Sequence, residues 1–235
     1  MSTYTNSAQN GNVQDGLSPL RISIASTFTS NPVEDVLTFW GNRFGYHTAV
    51  QFSPYDQVFQ ELLDPHSSFN HPDQDARVVL LRLEDWIRNL SDTRESSIHS
   101  HITANIHDLI TFTAKAAMFT IAPLFVSIAR NSLGSRIDPE RQNYYEQLIK
   151  NELSGQSNIY VTTSDDIDKV YGVEDYYDAQ KDRLGHIPFK SDYFSAMGTS
   201  LFRTILASRR APYKVIVLDC DHTLWGGICG EVSPS

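Results

Sequence analysis

The chain has 235 residues, 40% hydrophobic and 20% charged, with 19 Lys and Arg against 28 Asp and Glu and a formal net charge of −9. That acidic balance excludes nucleic acid and an anionic membrane surface as the main partner, because both require a positive footprint. A small phosphorylated ligand is compatible with it only where local Lys, Arg, metal or backbone amides offset the overall field.

Residues 1–18 are polar and lack both the basic start and the apolar stretch of a secretory signal, so a disordered tail is expected there. No run approaches the roughly 18 apolar residues of a membrane span. Arg21–Ser26 reads as a strand, and Asn31-Pro32 opens a helix with Val33, Val36, Leu37 and Trp40 on one face. Ala49–Ser53 is extended and precedes a helix over Asp56–Leu63. Arg77–Leu83 is a continuous apolar run of the kind buried on both faces. A long helix covers Ser96–Phe119, and a strand follows at Pro123–Ile128. A helix is predicted over Pro139–Leu153, a strand over Asn158–Thr162, a helix over Tyr193–Ala207 and a sixth strand over Lys214–Asp219.

Strands alternating with helices imply parallel pairing through right-handed crossovers, hence a three-layer α/β/α, flavodoxin-like domain over 19–207. Residues 208–213 read as a linker, and 214–235 as the opening fragment of a second domain. The only cysteines, Cys220 and Cys229, cannot staple a fold of this size, and a reducing cytosol is the expected setting. His99 and His101 lie two apart on the long helix and do not face each other, so they read as a solvated face. Trp40, Phe59 and Phe112 read as core. The acidic stretch Glu174–Asp182 is a polar loop or, alternatively, a cleft wall near His186.

The sharpest motif is Val215-Ile-Val-Leu-Asp-Cys-Asp-His-Thr-Leu-Trp-Gly-Gly227. In extended backbone, Asp219 and Asp221 point to the same side and Cys220 away. Carboxylates at the end of a buried strand are costly unless they hold a cation or meet a ligand in the crevice beyond it. Paired acids suit phosphoryl chemistry: one attacks phosphorus while the other protonates the leaving oxygen and then activates water.

The motif resembles motif I of the haloacid dehalogenase (HAD) superfamily. Its flanks, with Gly230-Glu231, resemble the FkbH-like subgroup of polyketide and peptide assembly lines. The resemblance implies Asp219 as nucleophile, Asp221 as general acid/base, Mg²⁺ held by Asp219 and Asp221, and Thr223 orienting the phosphate. His222 stands where the family usually has Asn. The family's later Ser/Thr, Lys and further acidic pair are not among 222–235, so the site is expected to be incomplete, with negligible phosphatase activity as it stands.

Longer FkbH-like proteins carry a domain similar to SGNH hydrolases. Ser26-Thr-Phe-Thr-Ser-Asn-Pro32, Phe52–Gln60, Leu80–Trp86 and Asp182-Arg-Leu-Gly-His-Ile-Pro188 resemble that region. The resemblance implies Ser26 as nucleophile, His186 as base and Asp182 orienting the imidazole. Two departures stand out. Ala25-Ser26-Thr27-Phe28 replaces the Gly-Asp-Ser turn, and Glu84-Asp85, a substrate-facing position, replaces an oxyanion-binding Asn. Carboxylates accept hydrogen bonds and cannot stabilise an oxyanion.

Three functions follow from the resemblance. The first is accessory phosphoryl or acyl transfer, of a glyceryl unit from a phosphorylated three-carbon donor, to an acyl carrier protein. The second is an SGNH-like esterase or acyltransferase using Ser26 and His186, and the third a non-catalytic docking module for a carrier protein or synthase.

Overall fold

The computed structural model describes residues 17–210. Its centre is a five-stranded, all-parallel sheet: β1 (Ser18–Ser26), β2 (Tyr46–Phe52), β3 (Ala76–Leu81), β4 (Leu124–Ile128) and β5 (Ile159–Thr162). They lie in the order β2-β1-β3-β4-β5. Parallel neighbours require crossovers, and helices supply them. Against one face lie α1 (Val33–Arg43), α5 (Ser164–Tyr171) and α7 (Ser191–Ser208). Against the other lie α2 (Val58–Leu63), α3 (Glu95–Ala116) and α4 (Pro139–Leu153). This is the three-layer α/β/α architecture expected from the alternation.

Side-chain alternation divides the core. Leu20, Ile22 and Ile24 of β1, with Val78 and Leu80 of β3, meet Val33, Leu37, Met197 and Phe202. Ala25, Val79, Leu81 and Val126 meet Ile102, Ile106, Leu109 and Ile149 on the opposite side. Both faces of β3 are therefore buried, which explains its unbroken apolar run. Trp40 packs at the edge of the first cluster, and Phe59 and Phe112 at the edge of the second.

Helix ends follow local chemistry. Asp138 caps α4 by accepting from the Arg141 N–H at 2.9 Å, with Pro139 at the first helical position. Thr163 and Asp166 form a reciprocal capping box on α5, and Gly172 ends it in the left-handed region (φ 57°). Gly198 of α7 permits close approach to α1, since a Cβ there would meet Val36 Cβ at 2.8 Å.

Boundaries differ from the sequence reading in instructive places. β3 stops at Leu81, and Leu83–Ile87 instead forms a short 3-10 helix. The expected loop before the last helix contains α6 (Ala179–Gly185), capped by Asp178 accepting from Lys181 N–H at 3.0 Å. β1 begins at Ser18, inside the segment expected to be tail. The sixth strand, the 214–235 fragment and most of the 208–213 linker lie outside the described residues.

At the amino end of β3, fully buried Arg77 donates to Asn70 Oδ1 at 2.7 Å, Ala116 O at 2.8 Å and Ala122 O at 2.8 Å. Burial lowers its pKa to about 10, which leaves it charged at neutral pH, held by neutral acceptors alone.

Candidate functional site at the carboxyl ends of the strands

In an open parallel sheet, ligands bind beyond the carboxyl ends of the strands where the chain order reverses. Here that point lies between β1 and β3. The loops after these strands are tied together: Thr27 Oγ1 accepts from Arg82 N–H at 2.9 Å and donates to Asp85 Oδ2 at 2.9 Å. The loop after β1 is also joined to the end of α6. Thr29 N–H donates to His186 O at 2.8 Å, and Phe28 meets Phe189 edge-on at 5.2 Å.

The centre of the site is Arg82. Its buried guanidinium donates to Asp182 at 2.8 and 3.0 Å and to Asp85 at 3.0 and 2.6 Å, and lies 3.3 Å from Glu84. Glu84 also accepts from the Ser132 N–H and Oγ at 2.6 and 2.7 Å, tying in the loop after β4. Arg88 donates to Asp85 Oδ1 at 2.6 Å. Although burial alone would raise Asp182, the hydrogen bonds and charge of Arg82 hold its carboxyl below the usual range.

Glu84, Asp182 and His186 line one open cavity of about 370 Å³, together with Arg88, Arg136 and Arg183. Asp85 lies against a second cavity of about 230 Å³, with Thr27 and Asp56. Ser26 closes β1 with its hydroxyl donating to Phe28 O at 2.6 Å and lying 3.0 Å from Ser30 Oγ. The His186 ring stacks on Tyr55 at 5.1 Å and meets Arg88 Nη1 through Nδ1. A guanidinium only donates, so Nδ1 accepts and the ring proton resides on Nε2. Among the described residues no side-chain hydrogen bond joins Ser26 to His186, or His186 to Asp182.

Asp219, Asp221 and Thr223 lie outside the described residues. Among those described, no group of three or more His, Cys, Asp or Glu is placed to hold a metal ion. His99 and His101 are exposed on α3, and each ring meets one polar partner: Tyr145 Oη on α4 at 2.7 Å and Trp86 O at 2.9 Å. No described helix is long and apolar enough to cross a membrane.

The sequence reading singled out the acids of this crevice but missed its cations, Arg82, Arg88 and Arg136. One signal was present: an arginine at the end of a buried apolar run, followed one leucine later by two carboxylates, needs partners of opposite charge.

No family model and no curated protein matches the chain. A crystal structure of the N-terminal part of the protein BF1531 from Bacteroides fragilis, containing a phosphatase domain and complexed with Mg, is similar in fold. The TM-score is 0.69 at 16% identity, over 92% of this chain and 59% of that one. At that identity the likeness establishes a shared α/β fold. The chain spans less than two thirds of that neighbour.

Proposed function

We propose that the chain acts as an FkbH-like accessory protein that moves a phosphorylated or acyl unit of the glyceryl type onto an acyl carrier protein in a cytosolic setting. The observation that carries this reading is the run Leu218-Asp-Cys-Asp-His-Thr-Leu-Trp-Gly-Gly227 directly after a complete parallel α/β/α domain. Its assignments are Asp219 as nucleophile, Asp221 as acid/base and Thr223 as phosphate-orienting group. Two carboxylates one residue apart offer the hard oxygen donors that Mg²⁺ selects, and Mg accompanies the phosphatase-domain neighbour. Bound there, the ion would offset repulsion between the acids and an incoming phosphate.

A separate reading makes the chain a non-catalytic docking module for the carrier protein. The alternative, an SGNH-like hydrolase or acyltransferase, draws on Ser26 closing the central strand at the switch point. It requires the Ser26 hydroxyl to leave the Phe28 carbonyl and the His186 imidazole to leave Arg88. Mixing the chain with holo acyl carrier protein, a phosphorylated three-carbon donor and Mg²⁺ tests both. A raised carrier mass supports the proposed transfer, a complex with unchanged carrier mass replaces it with the docking module, and absence of any complex overturns both. Loss of a preloaded acyl group, abolished by Ser26→Ala, would replace them with the hydrolase.

A further inference from the structure

The 370 Å³ cavity carries a charge opposite to that of the protein as a whole. Four arginines line it, Arg82, Arg88, Arg136 and Arg183, against the carboxylates of Glu84 and Asp182 on its wall and of Asp85 behind Arg82 and Arg88, which leaves a surplus of one positive charge. Both acids are already engaged: Asp182 by Arg82 and Tyr177, Glu84 by Ser132 and Arg82. The remaining cations retain donors. Arg136 is anchored to Leu90 O at 3.2 Å and to Ile87 O, leaving part of its five-donor fork free. Arg183 makes no side-chain hydrogen bond or ion pair among the described residues. In a chain of net charge −9, such a concentration of guanidinium groups in one crevice is a local inversion of the field.

His186 adds a second, independent observation. It ends α6 at φ 52°, in the left-handed region where glycine is the usual occupant. A β-carbon there is sterically disfavoured, and strain of this kind concentrates at functional sites. The strain sets the imidazole on the cavity wall. Because Nδ1 is the nitrogen nearer to Arg88 Nη1, with Nε2 at 3.4 Å, Nε2–H is the donor left for a ligand. The volume falls within the range of about 300–1,000 Å³ common to small-molecule sites. The leucines flanking the lining residues, Leu133 and Leu184, are 70% and 81% exposed, so apolar surface lies beside the cations.

We infer that this cavity is a binding site for an organic phosphate monoester: the dianion meets Arg88, Arg136, Arg183 and the Nε2–H of His186, and the organic stem runs out past Leu133 and Leu184. Donors converging from three separate elements suit the three oxygens of a phosphate better than the two of a carboxylate. The site uses only residues 82–186 and is independent of any chemistry at Asp219 and Asp221.

Calorimetric titration of the full chain with glycerol 3-phosphate, D-glycerate and glycerol tests the assignment. Glycerol 3-phosphate is expected to bind at least tenfold more tightly than glycerate, and glycerol not to bind. Arg183→Gln, which breaks no internal contact, should weaken phosphate binding at least tenfold with an unchanged melting temperature, and His186→Asn, which tolerates the left-handed backbone, should also weaken it. Arg43→Gln, on α1 and outside the cavity, should leave it unchanged. Absence of glycerol 3-phosphate binding, equal binding of glycerate, or equal weakening by Arg43→Gln and Arg183→Gln would each overturn the inference. None of these results depends on whether a carrier protein binds.

Discussion

The carboxylate of Asp182 closes a two-pronged pair with the guanidinium of Arg82, at 2.8 and 3.0 Å, across 100 residues of chain. Arg82 follows a central strand and Asp182 belongs to a short helix with no buried side chain of its own. Charge therefore does for α6 what apolar packing does for the longer helices.

Breaking that pair leaves a buried charge without compensation. Asp182→Asn keeps the shape but halves the pairing and is expected to cost about 3 kcal/mol, within the range for losing one partner of a buried ion pair. Arg82→Met, which strands Asp182 and Asp85 together, should cost more. Urea unfolding, compared with the exposed control Arg43→Gln, measures both. A loss under about 1 kcal/mol for either would mean that α6 is held otherwise.

Ser26 is expected to resist fluorophosphonate labelling. Its hydroxyl is committed to the Phe28 carbonyl and the imidazole of His186 is engaged by Arg88, so no base activates it. Intact-mass measurement after prolonged exposure should show no adduct. An adduct at Ser26 that disappears in His186→Asn would establish the hydrolase.

Glu146 introduces a pH dependence. It is wholly buried on α4, accepts from Gln142 Nε2 at 2.6 Å and from Ser164 N–H and Oγ at 2.9 and 2.8 Å, and has its pKa pushed up to about 7, chiefly by burial. The unfolded value is near 4.3, so the folded chain binds the extra proton between the two. The corresponding stability is fully present below about pH 4 and is lost as pH rises through about 7, on the order of 3 kcal/mol across the window. Other carboxylates also titrate there, so the informative quantity is the difference between the wild type and Glu146→Gln. That difference should change with pH between 4 and 7 and be flat above 8; a flat difference throughout would assign Glu146 an ordinary pKa.

Gly198→Val should be the most damaging substitution in α7. A Cβ would enter within 2.8 Å of Val36 Cβ, and the added methyls must displace α1. Overpacking of this kind costs about 1–3 kcal/mol. Gly198→Ala should fall at the lower end, because higher helix propensity offsets part of the clash. Melting temperatures that rise for both would mean the helices move apart freely.

Much of this fold was legible because each buried strand is short, apolar and followed by a helical period. β3 and β4 are the plainest cases. The sequence predicts β2 from Ala49, whereas it starts at Tyr46, because as an edge strand it half-buries alternate residues and its polar face weakens the pattern. α5 and α6 were missed for a different reason. At 8 and 7 residues they are too short for an apolar period, and their real signatures are the caps Thr163 and Asp178. Within the crevice, Glu84, Asp85, Asp182 and His186 were visible as chemistry, but their mutual arrangement was not. Arg82 pairs with a residue 100 positions away, and spacing along the chain carries no trace of such a contact.

β3 is fastened at both ends by guanidinium groups of opposite circumstance: Arg77 clasped by neutral carbonyl and amide oxygens, Arg82 by carboxylates. A strand pinned in this way cannot slip by a residue without dragging one cation out of its cage. Its amide protons should therefore trade with solvent only when the whole domain comes apart, while those of α6, held from outside by polar contacts alone and burying no side chain, exchange long before. The middle of the sheet would be the protein's slowest clock and the cavity wall its fastest.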